Sequence, residues 1–225
     1  MAWTFEKEVN RKAIHLASIL YLVLYLVLFH FIGHKVALFV LSALLIVMIY
    51  FEYMRIELKI KIPLIHHLWT LRRRKEKNRM GAEIFWLIGM IICFAVLDVR
   101  IAVLAVLMSV FGDMASALIG KRFGKTKMRE VQHKPIQKKC WEGVIAELLI
   151  NLLVGYYFLR AIGDPTLSWF YTTFPHDISL MPVLVVMAIV ATTVETAVNK
   201  LEDNLLVPLF TGVAGQLTLI ILLAL

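Results

Sequence analysis

The sequence predicts an all-α, polytopic membrane protein: a single integral domain over residues 1–225, with about seven transmembrane helices and a cytoplasmic N-terminus. Three observations carry that expectation. The chain is 60% hydrophobic and only 18% charged over 225 residues, with a mean hydropathy of +0.80, far too apolar for a soluble domain of this length. Seven apolar stretches, at 15–32, 36–53, 82–98, 101–120, 141–159, 180–199 and 205–225, are close to the ~20 helical residues that cross a hydrocarbon core. The Lys and Arg counts in the segments before and between them are 3, 1, 9, 1, 8, 1 and 1, an alternation that places the basic segments on one face, the cytoplasmic one.

The first span follows Lys7, Arg11 and Lys12. Its apolar run is too long for a signal peptide and no small-residue cleavage site follows, so it reads as an uncleaved helix. The segment between spans two and three, "IELKIKIPLIHHLWTLRRRKEKNRM", mixes Ile, Leu and Trp with basic residues, as an interfacial segment does; a plain topology anchor explains it equally well. After span five, Trp169, Phe170, Tyr171 and Phe174 fit the aromatic belt at a membrane surface. Only Cys93 and Cys140 are present, which favours neither a disulfide framework nor a thiolate metal cluster. The net charge of +8 belongs mainly to two inner loops, so nucleic-acid binding is not needed to explain it. Anionic lipid headgroups or a polyanionic nucleotide are the partners it suits.

Ionisable groups inside spans are informative because each costs about 2.5–3.5 kcal/mol or more near the bilayer centre. Asp113 sits near the cytoplasmic end of span four, with Ser109 and Ser116 on nearly the same face. Glu142, Glu147 and Asn151 follow one another down span five, and Glu195, Asn199 and Asp203 recur at i, i+4 and i+8, as one stripe at the end of span six. Carboxylates gathered on one side repel unless cations lie among them. The loop lysines are one source, and a hard divalent ion such as Mg2+ is the other. Helix–helix hydrogen bonding is the simpler reading for any single Asn or Glu.

Beyond Asp113 comes "GKRFGKT". A P-loop needs four residues between its first glycine and Gly-Lys-Thr, and it follows a strand; here there are three, after a helix. What is left is a glycine-assisted helix exit carrying Lys121, Arg122, Lys125 and Lys127. Such a cluster serves a triphosphate or the positive-inside rule equally well.

Four pieces, "RKAIH" (Arg11–His15), "GDMASALIGKRFGKTK" (Gly112–Lys127), "KKCWEG" (Lys138–Gly143) and "VETAVNKLEDNLLVPL" (Val194–Leu209), resemble the family of CTP-dependent lipid kinases that includes dolichol kinase, phytol kinase and a CTP-using diacylglycerol kinase. That family is distantly related to phosphatidate cytidylyltransferase. The likeness spans about Arg11 to Gly212 and departs at Cys140, where the family often has Ser or Thr. It implies transfer of a phosphoryl group from CTP to a lipid alcohol in the bilayer, with Mg2+ or Mn2+. On that basis Asp113 and Asp203 are expected to hold the metal, with Glu195 as a direct or outer ligand. Lys121, Lys125, Lys138 and Lys139 are expected at the triphosphate, with Asn204 from the Asp-Asn-x-x-x-Pro motif beside them. Glu142 or another carboxylate, Asp113 or Asp203 among them, would take the alcohol proton. Arg11 and His15 would face the same rim; His15 is open between a phosphate or headgroup ligand and an ordinary helix-end histidine. The cytidylyltransferase branch ends in His-Gly-Gly and Asp-Arg pairs that "ETAVNKLEDN" lacks, which favours the kinase branch and leaves cytidylyltransferase as the alternative. A small transporter or channel lined by the Glu195–Asp203 stripe is a further reading. It does not explain why the polar positions cluster on one side.

Overall fold

The computed structural model describes residues 16, 18–58, 80–126, 140–162, 179–198 and 203–224. They form seven helices: α1 (Ile19–Phe31), α2 (His34–Ile56), α3 (Ala82–Val96), α4 (Val99–Phe123), α5 (Trp141–Ile162), α6 (Met181–Ala197) and α7 (Asp203–Ala224). Among the described residues α2, α4, α5 and α7 are long and apolar enough to cross a membrane, while α1, α3 and α6 are shorter apolar helices. At 13, 15 and 17 residues, and about 1.5 Å per residue, these three fall short of a ~30 Å core.

The apolar surface points outward. Phe39 and Ile46 on α2 are 73% and 67% exposed, and Leu149 and Leu153 on α5 and Leu217 and Ile220 on α7 are also exposed. Polar side chains are instead found inside, among them Glu52, Ser109, Glu147, Asn151, Thr192, Glu195 and Thr211. Apolar outside with polar side chains inside suits a lipid solvent. With the apolar helices, it marks an integral membrane protein.

α4 is the axis of the bundle, buried over most of its length, whereas α2 and α5 are largely exposed. It contributes to both apolar cores. One joins α1, α2, α3 and α4 around Tyr25, Leu41, Trp86, Phe94 and Val106; the other joins α4, α6 and α7 around Leu104, Met108, Met187 and Val207. Tyr25 fixes the first three helices to one another: its ring stacks on Phe94 at 3.9 Å, and its hydroxyl is hydrogen-bonded to His34 Nδ1 at 2.8 Å. The α1–α2 turn requires a left-handed residue and has one, Gly33, at φ 107°.

Named contacts set the helix directions. Gly112 and Gly120 of α4 lie against Asn151 and Gly143 of α5, so these two helices are antiparallel. Asn151 reaches Thr192 of α6, and Gly155 lies against Leu184, which reverses the direction again. Asp98, before α4, meets Gln216 of α7, while Gly89 of α3 lies against Leu205 and Pro208, so α3 and α7 run parallel. One end of the bundle therefore gathers the end of α2, the start of α3, the end of α4, the start of α5, the end of α6 and the start of α7. We call it the Lys121 end.

Each end has its own charged tie. At the Lys121 end, Glu52 Oε2 accepts from the buried Gly81 N–H at 3.1 Å, satisfying the N-cap residue of α3, and from Arg55 Nη2 at 2.6 Å. At the other end, Asp98 caps α4 by accepting from the Arg100 N–H at 2.9 Å, and the Arg100 guanidinium donates to both of its carboxylate oxygens. The Asp98 N–H donates to Gln216 Oε1 at 2.9 Å, tying this cap to α7.

Glu52→Ala removes the acceptor for the buried Gly81 N–H and for the partly buried Arg55 guanidinium and should cost about 3 kcal/mol, read as a fall of several degrees in Tm of the detergent-solubilised protein. Glu52→Gln, which keeps an acceptor for Gly81, should lose less; equal losses would contradict the capping role. Burial pushes the Asp98 carboxyl upward, but the Arg100 hydrogen bonds and charge outweigh it and hold it below its ordinary 3.8. A depressed folded-state value gives stability that is whole above 3.8 and lost as pH falls below it. Acid titration of Tm should show that loss, and Asp98→Asn should remove it.

Candidate functional site

The Lys121 end collects most of the residues that the sequence singles out. Asp113 lies on α4, half-buried, ten residues before the helix ends at Phe123. Its neighbour Gly112 is buried because a side chain from α5 occupies the space a Cβ would take: that atom would lie 2.7 Å from Asn151 Oδ1. Asn151 is fully buried, and its amide donates to Thr192 Oγ1 at 3.4 Å. Gly112, Asn151 and Thr192 thus form one polar layer across α4, α5 and α6. One turn further toward the Lys121 end on α5 is Glu147, 2% exposed, and three residues along α6 from Thr192 is Glu195, 6% exposed. Asp113, Glu147, Glu195 and Asp203 all have noncovalent partners.

Closer to the end, α4 and α5 nearly touch. A Cβ on Gly143 would lie 2.9 Å from the Ser116 carbonyl oxygen and 3.3 Å from Gly120 Cα. This small-residue approach of helices is what lets a membrane bundle gain dispersion energy without a hydrophobic driving force. Cys140 is buried in the same junction, its Sγ donating to the Gly120 carbonyl at 3.4 Å. The position where the resembled family often has a hydroxyl thus packs against the exit of α4.

The exit itself is held from α5. Glu142 Oε1 accepts the backbone N–H groups of Lys125 at 3.1 Å and Thr126 at 3.0 Å, and the Trp141 N–H donates to the Thr126 carbonyl at 3.1 Å. Lys121, Arg122 and Lys125 are exposed on this exit. Residues 120–126 and 140–143, separate in sequence, are therefore one structural junction.

The stripe expected along a single helix, Glu195–Asn199–Asp203, is corrected by the fold. α6 stops at Ala197, with Val198 extended at ψ 132°, and Asp203 opens α7. Its Oδ1 accepts from the Asn204 N–H at 2.8 Å and from Asn204 Nδ2 at 3.0 Å, a carboxylate at the electropositive start of a helix. Glu195 and Asp203 thus belong to two helices. Pro208 stands inside α7 and cannot donate to the Asn204 carbonyl four residues back, which loosens the first turns beside Asp203. Arg11, His15, Lys138, Lys139 and Asn199 lie outside the described residues.

Two residues with clear structural roles were not among those singled out. Glu52 stands inside an apolar run and falls under the same insertion cost as Asp113, a signal that was available. Trp86 is buried with its indole N–H donating to Ser109 Oγ at 3.3 Å; a buried indole demands an acceptor, but nothing in the sequence says which. Ser109 is thereby committed to α3 as well as to the Val106 carbonyl.

For a divalent ion the available donors at this end are oxygens, the type that Mg2+ takes. Among the described residues, however, no three His, Cys, Asp or Glu side chains form a group that could hold a metal ion. No protein-family model, curated protein or solved structure matches the chain.

Gly112→Ala should force the Asn151 amide aside and cost roughly 1–3 kcal/mol, seen as a lower Tm in detergent. Adding Asn151→Ala relieves the clash, so the double variant should be more stable than the sum of the single losses predicts. Additive losses would mean that the two positions do not share this contact.

Proposed function

We propose that this chain is a CTP-dependent kinase that phosphorylates a lipid alcohol in the bilayer. The observation that carries the reading is the junction just described: parts of two of the four segments that resemble the lipid kinases meet through Glu142, Lys125 and Thr126, on the helix that carries Asp113 nearly three turns earlier and at the end where Asp203 begins α7. In this reading all seven helices cross the membrane. The Lys121 end faces the cytoplasm, as the basic segments require.

The chemistry explains the location. CTP is confined to water and its acceptor, a polyprenol such as dolichol, phytol or a diacylglycerol, to lipid, so the reaction must occur at their boundary. The alcohol oxygen forms a bond to the γ-phosphorus as the bond from that phosphorus to the β–γ bridging oxygen breaks, and CDP leaves. Asp113 or Asp203 accepts the alcohol proton. Lys121 and Lys125, with Lys138, Lys139 and Asn204, neutralise and orient the triphosphate. A divalent ion, Mg2+ or Mn2+, would supply charge neutralisation at the phosphate oxygens; Asp113, Asp203 and Glu195 do not form a ready three-ligand group, and each would serve as a single oxygen donor to an ion bound mainly by the nucleotide. Arg11 and His15, outside the described residues, are the further phosphate or headgroup contacts that the resemblance implies.

The test is incubation of purified protein with γ-labelled CTP, Mg2+ and a panel of dolichol, phytol, undecaprenol and diacylglycerol. Label should enter one lipid, and Asp113→Asn should reduce that transfer by at least about 100-fold while leaving the protein folded in the membrane. Label released as pyrophosphate, with cytidine retained on lipid, would identify the cytidylyltransferase reaction instead. Absence of both turnover and CTP-dependent thermal stabilisation would leave the transport reading.

A further inference from the structure

Glu142 was expected from its sequence context as a candidate proton acceptor, but its surroundings describe a different job. One carboxylate oxygen is engaged by two consecutive backbone N–H groups, those of Lys125 and Thr126. These belong to the turn that follows α4, whereas Glu142 stands in the first turn of α5. The same turn is closed from the other side by the Trp141 N–H on the Thr126 carbonyl. Beneath it, Gly120 and Gly143 bring the two helices together, and Cys140 fills the space beside Gly120 and Gly124.

We propose that Glu142 is a positioning residue, a latch that fixes the Lys125–Thr126 turn to α5 and so sets where the Lys121 and Lys125 ammonium groups stand relative to Asp113. Charge-assisted acceptance of two N–H groups is a strong holding interaction. A proton taken up by this carboxyl, even at the unpartnered Oε2, would remove the charge that strengthens both bonds at Oε1 and so weaken the hold on the turn carrying the cations that the reaction needs. The catalytic part of the proposal rests on the kinase reading above; the latch itself rests on the fold alone.

Glutamine keeps a carbonyl oxygen at the same place and loses the basicity, so the two roles separate. Glu142→Gln should hold the turn and keep both KM for CTP and kcat within about threefold of the unaltered protein. Glu142→Ala should raise KM for CTP by about tenfold, the size of effect that loss of uniform binding produces, with a smaller change in kcat. Hydrogen exchange measured in detergent should show faster exchange at Lys125 and Thr126 in Glu142→Ala and near-normal exchange in Glu142→Gln. If Glu142→Gln is as inactive as Glu142→Ala, with kcat lost and KM unchanged, Glu142 is the base and the positioning role is overturned. If the unaltered protein neither turns over CTP nor is stabilised by it, the kinase reading fails, and exchange alone decides the latch. Unchanged protection in Glu142→Ala would then overturn that as well.

Discussion

The structure depends on the close approach of α4 and α5. In lipid, apolar side chains gain nothing by leaving their solvent for one another, so helices associate through dispersion at short range and through polar groups that find partners. Gly112, Gly120 and Gly143 make that range available. They bring Ser116, Asn151 and Glu142 within reach of the opposite helix, and a larger residue at any of them would push the helices apart. α6 joins through Asn151 and Thr192, and α7 closes against α3 and α4 through Gly89, Gly212 and Gly215. α4 is buried because neighbours on several sides need its small residues.

This arrangement divides one polar seam between neutral and ionisable side chains. Polar groups that hold the helices, Asn151, Thr192 and Ser109, occupy the middle of the bundle. The other carboxylates that the sequence singles out, Asp113, Glu195 and Asp203, lie progressively nearer the Lys121 end. The polar seam is thus tied by neutral side chains in the middle of the bundle and carries its carboxylates toward one end. Pro208, by leaving the Asn204 carbonyl without its helical donor, adds backbone polarity at the same level.

Much of the fold was legible. Apolar length located seven helices, with α4 at Val99–Phe123 against an expected 101–120 and α5 at Trp141–Ile162 against 141–159. The cost of an ionisable group in a span drew attention to Asp113 and Glu195, and the structure has the first half-buried on α4 and the second buried on α6. Periodicity failed between α6 and α7: Glu195, Asn199 and Asp203 have helical spacing, but spacing cannot register that Val198 leaves the helix. Pairings across long separations were also beyond the sequence, such as Asp98 with Gln216 and Glu52 with Gly81, because any of several polar residues could have answered each need. The same limit hid the role of Glu142, whose type was noticed but whose partners were backbone groups, which carry no signature in sequence.

The pinning of Thr126 to Trp141 and of Glu142 to Lys125 also fixes the backbone from which three cations project. Lys121 and Arg122 stand in the last turn of α4, and Lys125 follows one turn on, its N–H held from α5. Their side chains are exposed, so the stems move while the points they leave from do not. An anion arriving at this end would gather these charges at the expense of side-chain freedom alone, because the ordering of the backbone beneath them is already done by the contact between two helices.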